Sequence, residues 1–177
     1  MPAINRKTSN LLIIDFQSKL MPAIEDAALV TGNARRLIDA AEMLEVPIVF
    51  TEQNANGLGG TVPQLWSDTA CLVHKMTFDA CRMPDFLSAL SGRPNLIVSG
   101  CDTHVCVLQT VLGLINADCH VYAVRDAMGS RRAESKETAI RRMERNGAEI
   151  VTTEMVLFEW LETAEDPRLR KVIDLIR

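Results

Sequence analysis

The chain has 177 residues, of which 47% are hydrophobic and 24% charged, enough for one substantial core but cramped for a second full domain. With 19 Lys and Arg against 23 Asp and Glu, a formal net charge of -4 and no basic block, nucleic acid and anionic membrane are not expected partners. No apolar run approaches the ~18 residues of a membrane-spanning helix, and MPAINRKTSN at the start lacks the apolar stretch and cleavage site of a signal peptide, so the expected location is the cytoplasm.

Apolar runs and helical patterns alternate along the chain. Residues 10–15 (NLLIID) form a continuous apolar run suited to a strand covered on both faces. Residues 31–44 carry Ala34, Leu37, Ile38, Ala41 and Leu44 at helical spacing, with Pro47 marking the end. A second strand is expected at 47–51 (PIVFT) and a weaker third at 71–74 (CLVH). The glycine-rich stretch at 53–64, QNANGLGGTVPQ, reads equally as a connecting loop or as a wall over a crevice. It matches neither G-x-G-x-x-G nor a P-loop. A helix is expected at 83–90, closed by Gly92 and Pro94, then a fourth strand at 96–99 (LIVS) and a helix over about 103–115. The remaining expectations are a fifth strand at 120–124 (HVYAV), a charged helix over 132–145 ended by Asn146-Gly147, a sixth strand at 149–152, and one or two terminal helices.

Strands separated by helices imply right-handed crossovers and a parallel sheet. The fold class is α/β: a single-domain, Rossmann-like three-layer sandwich over residues 1–177, with a six-stranded parallel sheet, helices on both faces and expected strand order 3-2-1-4-5-6. Ligands in such sheets bind beyond the carboxyl ends of the strands, where the order reverses. Asp15, the segment 51–53 (TEQ), Lys75 and the segment 100–106 all fall on that edge.

Those residue types define a chemistry. The five cysteines (Cys71, Cys81, Cys101, Cys106 and Cys119) show no C-x-x-C pair or metal-type spacing, so neither a disulfide framework nor structural zinc is expected. In VSGCDTHVCVLQT (98–110), Asp102 or Thr103 can cap the following helix, leaving Cys106 in its first turn. Amides and the positive helix end there favour a thiolate and can hold an oxyanion. The position suits a nucleophile and a small buried hydrophobe equally. Asp15 closes an apolar strand, where it is either a turn cap or a general acid or base facing Cys106. Lys75 is either a solvated surface lysine or the cation that settles Asp15 and a thiolate. A Cys–His pair is not expected: His104 is two positions from Cys106, His74 points away from Lys75 in an alternating strand, and His120 begins its strand.

The segments LLIIDFQ, VHKMTF, VSGCDTHVCV and VYAVRDAMGS, in that order, resemble the isochorismatase-like cysteine hydrolases, which include nicotinamidases, N-carbamoylsarcosine amidohydrolases and isochorismatases. The stretch TEQNANGLGGTVPQL looks closer to uncharacterised isochorismatase-domain hydrolases. The resemblance implies a catalytic triad of Asp15, Lys75 and Cys106, a cis peptide at Cys101–Asp102, and an oxyanion hole from the amides of Asp102 and Cys106. It also implies a homodimer or homotetramer. Apolar surface on the helices after strands four and five is the expected contact. Nicotinamidases hold a metal with an Asp-x-His pair and a later His; TEQNAN has no histidine, so no metal or cofactor is expected. Family members often carry Ser-Ala-Phe after the lysine, where this chain has Thr77-Phe78-Asp79-Ala80. The expected activity is hydrolysis of a small amide or related C–N substrate through a thioester on Cys106. The alternatives are acid-driven vinyl ether cleavage by Asp15, and a non-catalytic binding protein on the same fold. Gln17, Gln53, Phe78 and His104 are candidates to line the substrate pocket, from their nearness to the motifs.

Overall fold

Each of the six apolar runs becomes a strand of one sheet in the computed structural model, which describes residues 3–90 and 92–177. The strands are β1 (Ser9–Ile14), β2 (Ile48–Gln53), β3 (Cys71–Lys75), β4 (Asn95–Cys101), β5 (His120–Gly129) and β6 (Glu149–Val151). They lie in the order β3-β2-β1-β4-β5-β6, and all are parallel. Every residue of β1 and β2 is buried, the reason these runs are continuously apolar instead of alternating.

Helices cover both faces, and the two-residue period of β1 divides its side chains between them. Leu11 and Ile13 pack with α1 (Ala27–Met43), α6 (Thr153–Leu161) and α7 (Leu169–Leu175) in one cluster that contains Leu37, Ile38, Trp160 and Val172. Leu12 and Ile14 pack the other way, among Phe86, Val111, Leu114, Ile140 and Met143. Those side chains come from α3 (Phe86–Ala89), α4 (Leu108–Asn116) and α5 (Ala133–Arg145). Each such fully buried side chain contributes roughly 1.5–3 kcal/mol of transfer free energy.

The elements depart from the expected bounds in instructive places. The expected helix at 83–90 shrinks to the four residues of α3, after a 3-10 turn at Ala80–Arg82. Pro84 holds Met83 extended, at φ -82 and ψ 128, as the residue before proline must be. The helix expected from 103 opens instead with one π-helical turn, Thr103–Val107. β5 runs five residues past its expected end, and its register against β4 shifts between Val98 and Gly100. The shift accommodates Arg125 and Asp126, the latter turned to cap α6 through the Thr153 amide (2.8 Å) and hydroxyl (3.0 Å). The large exposed hydrophobics do not lie on α4 or α5, as the expected self-contact requires; they include Met76, Phe78 and Leu87 around α3, and Met155 and Phe158 on α6. Among the described residues no helix is long and apolar enough to cross a membrane.

Candidate active site

Parallel register brings the carboxyl ends of the central strands level: Ile14 pairs with Thr51 on one side and Gly100 on the other, and Gln53 pairs with Lys75. Gly100 is required at this crossing, since a Cβ there would sit 2.7 Å from the Ile14 carbonyl oxygen. The next residues on each strand form the site.

Asp15 follows β1 with φ 52, a left-handed conformation that Asp adopts more readily than most residues. Its amide remains in the ladder, donating to the Thr51 carbonyl at 3.1 Å, while its carboxylate turns inward. The Thr51 hydroxyl donates to Oδ1 at 2.7 Å and the Lys75 ammonium to Oδ2 at 2.6 Å. Both side chains of that ion pair are 0% exposed. Lys75 Nζ also donates to Gln53 Oε1 at 3.0 Å, with the Thr77 and Phe78 carbonyls at 3.4 and 3.5 Å. Taking two charges out of water costs several kcal/mol per ion, offset only by such close pairing and added hydrogen bonds.

Cys106 lies in the π-helical turn, 6% exposed, with Sγ 3.8 Å from Gln53 Oε1. Irregular helical turns of this kind recur at functional sites. Burial first, and then the Asp15 carboxylate, push its thiol up to about 12, with Lys75 acting in the opposite direction. Burial thus works against the thiolate expected from the helix end, and the shift favours the protonated thiol. The capping expectation is corrected. The Asp102 carboxylate accepts from the Arg131 amide (3.2 Å) and Nε (3.0 Å), and the Thr103 hydroxyl donates to the Gly129 carbonyl at 2.8 Å. The Cys101–Asp102 peptide is cis. Cys101 is fully buried beneath it, where burial raises its thiol further.

The pocket candidates divide. Gln53 stands against both Lys75 and Cys106. Gln17 does not line a pocket: its side chain brackets the Gln53 backbone, accepting from the amide at 2.8 Å and donating to the carbonyl at 3.0 Å, and donates to the Gly59 carbonyl at 2.6 Å. Phe78 leaves its ring half-exposed and offers the site only its carbonyl. His104 is turned to the Ser130 hydroxyl at 3.1 Å. His74 is exposed where Lys75 is buried, the alternation that a strand implies. Sequence reasoning placed Thr51 and Glu52 on this edge, from the polar end TEQ of an otherwise apolar strand, without the contacts they make, and it missed Arg131. The Glu52 carboxylate straps the glycine-rich stretch, accepting from the Thr61 amide (2.6 Å) and hydroxyl (2.9 Å).

A cavity of about 370 Å³ opens beside Lys75, lined by Asn54, Asn56, His74, Met76 and Met83. A larger one of about 700 Å³ lies at the other end of the sheet, against Pro47 and Trp66, away from this chemistry. The residues do not fit a nicotinamidase-type metal. Glu52 and His74 approach to 3.4 Å, Glu52 is engaged by Thr61, and no group of three or more His, Cys, Asp or Glu among the described residues is placed to hold an ion.

Similarity to known proteins identifies the family. The isochorismatase domain model matches residues 9–155. The chain is 32% identical over 176 residues to isochorismatase domain-containing protein 2 of Xenopus laevis, covering 98% of this chain and 85% of that protein. Among solved structures, one described as the MAR1 ribonuclease of Caenorhabditis elegans superposes with a TM-score of 0.94 at 34% identity, covering 99% of this chain and 92% of that one. The YcaC gene product of Escherichia coli, described as an octameric hydrolase of unknown specificity, superposes with a TM-score of 0.87 at 25% identity, covering 99% and 88%. The chain belongs to the isochorismatase family, and its six-stranded parallel α/β sandwich is the fold of its structural neighbours.

Proposed function

We propose that this protein hydrolyses a small amide or related C–N substrate, with Cys106 as nucleophile, Asp15 as general base and acid, and Lys75 as the cation that keeps Asp15 charged in a dry site. The observation that carries the reading is the Lys75–Asp15 ion pair, wholly buried beside a buried thiol. Such a pair has no packing value that apolar residues would not supply better.

In this scheme Asp15 takes the thiol proton as Sγ attacks the carbonyl carbon, so the nucleophile forms only when substrate is present. The amides of Asp102 and Cys106 receive the developing oxyanion; the Asp102 amide meets no other acceptor among the described residues. Collapse expels the amine, which takes its proton from Asp15, and leaves a thioester. Asp15 then removes a proton from water as it attacks the thioester, and collapse releases the acid while Asp15 returns a proton to sulfur. Net, one amide and one water give one acid and one amine. Both Asp15 oxygens accept hydrogen bonds, which suits a proton acceptor at rest better than the acid that vinyl ether cleavage requires. No step needs a metal or cofactor.

The test is a panel of small amides, ureido acids, vinyl ethers and RNA, the last because of the C. elegans relative's description. Amide turnover with an acyl mass on Cys106, and at least ~10³-fold loss in Cys106→Ala with an unchanged fold, is the expected result. Turnover of a vinyl ether or RNA that survives Cys106→Ala would replace the reading.

We further propose that the protein self-associates in solution, supported by the octameric description of the E. coli relative and by exposed Met76, Phe78 and Leu87. Light scattering that gives the monomer mass at all concentrations would refute this.

A further inference from the structure

Gln53 is held more completely than a pocket wall needs to be. Its side-chain nitrogen donates to the Met76 carbonyl at 2.8 Å, which fixes the amide's orientation and turns Oε1 the other way. There the oxygen accepts from Lys75 Nζ at 3.0 Å and faces Cys106 Sγ at 3.8 Å. The backbone on either side is bracketed by Gln17. A neutral, oriented carbonyl oxygen therefore accepts from both the ammonium and the thiol.

We infer that Gln53 is a positioning residue whose oriented side-chain oxygen accepts from the Cys106 thiol and shares the Lys75 ammonium with it, favouring the protonated sulfur until substrate arrives. The physical basis has two parts of the same sign. A carbonyl oxygen beside sulfur favours S–H, a donor, and repels a thiolate. By occupying one of the three ammonium protons it also competes with the sulfur for Lys75, whose 2.6 Å partner is Asp15. The charged groups that face the thiol are Asp15 from the end of β1 and Lys75 from β3. The other ionisable groups nearby are turned elsewhere: Glu52 to Thr61, Asp102 to Arg131, and His104 to Ser130.

The inference rests on the proposed role of Cys106, but its test needs no substrate. The rate of Cys106 alkylation by iodoacetamide at pH 8 is read by site-resolved mass spectrometry in the wild type, Gln53→Met and Gln53→Glu, with thermal melts to confirm folding. Methionine keeps the length and removes the carbonyl; glutamate places a second carboxylate at the sulfur. A one-unit fall in thiol pKa, partly offset by weaker nucleophilicity, makes alkylation about three- to tenfold faster in Gln53→Met, and the opposite shift makes it slower by a similar factor in Gln53→Glu. Opposite shifts in two folded variants support the inference, since loosened packing alone would speed both. If both accelerate, or neither moves while the wild-type thiol is suppressed, Gln53 is only a wall and the inference falls. If the wild-type thiol reacts like an ordinary exposed cysteine, the reading of the site itself fails.

Discussion

The site joins two halves built by different means. On the β1–β2–β3 side, Asp15, Thr51, Gln53 and Lys75 are buried side chains held by one another, at 2.6 to 3.0 Å. On the β4–β5 side, the backbone supplies the geometry: the cis peptide at Cys101–Asp102, the π-helical turn that carries Cys106, and a carboxylate tied to Arg131, itself 56% exposed. In the proposed reaction the first half handles protons and the second handles the carbonyl. In the first, function and stability depend on the same contacts, because each partner removed leaves a buried charge. In the second, side chains near the mouth can change with little effect on the fold.

That contrast can be broken by substitution. Lys75→Met has the largest expected effect on stability: Asp15 is left buried without its cation, at a cost of about 3–5 kcal/mol in urea unfolding. Adding Asp15→Asn should restore much of it, since the uncompensated charge is then gone. A single-variant cost under ~1 kcal/mol would mean that the pair is hydrated and the halves are alike. Thr51→Val, close in shape, removes one donor to a buried carboxylate and should cost about 1.5–3 kcal/mol by the same measurement.

The pH dependence sharpens the comparison at the sulfur. The folded thiol is raised above its ordinary value of 9.0 to about 12, so the folded state binds the proton more tightly than the unfolded one. Its contribution to stability is present in full below about 9 and lost as pH rises towards about 12. The stability of the wild type relative to Cys106→Ala should therefore fall over that interval and stay flat between pH 6 and 8. The smallest effect is expected from Arg131→Ala: its pairing with Asp102 is at the surface on one side, and the stability cost should stay below ~1 kcal/mol. A cost as large as that of Lys75→Met would show that both halves are held by buried charge.

What the sequence determined by itself is the sheet, and it pointed to the groups proposed to react. Strands buried on both faces must be written as apolar runs, so NLLII and PIVF were legible, and crossover handedness left few strand orders to choose from. A carboxylate and a lysine at the ends of such runs stood out for the converse reason, that packing does not call for them there; the cysteine, equally a small buried hydrophobe by position, stood out through the family resemblance. The tertiary structure alone decided how those groups are used. That Asp102 binds Arg131 instead of capping a helix, that Gln17 serves as a bracket and not a pocket wall, and that the Cys106 thiol meets Gln53 beside Lys75 all depend on contacts between residues 22 to 53 positions apart. Local propensity carries no information about such partners. Desolvation, which sets the thiol's charge, is a property of the closed core and not of any segment within it.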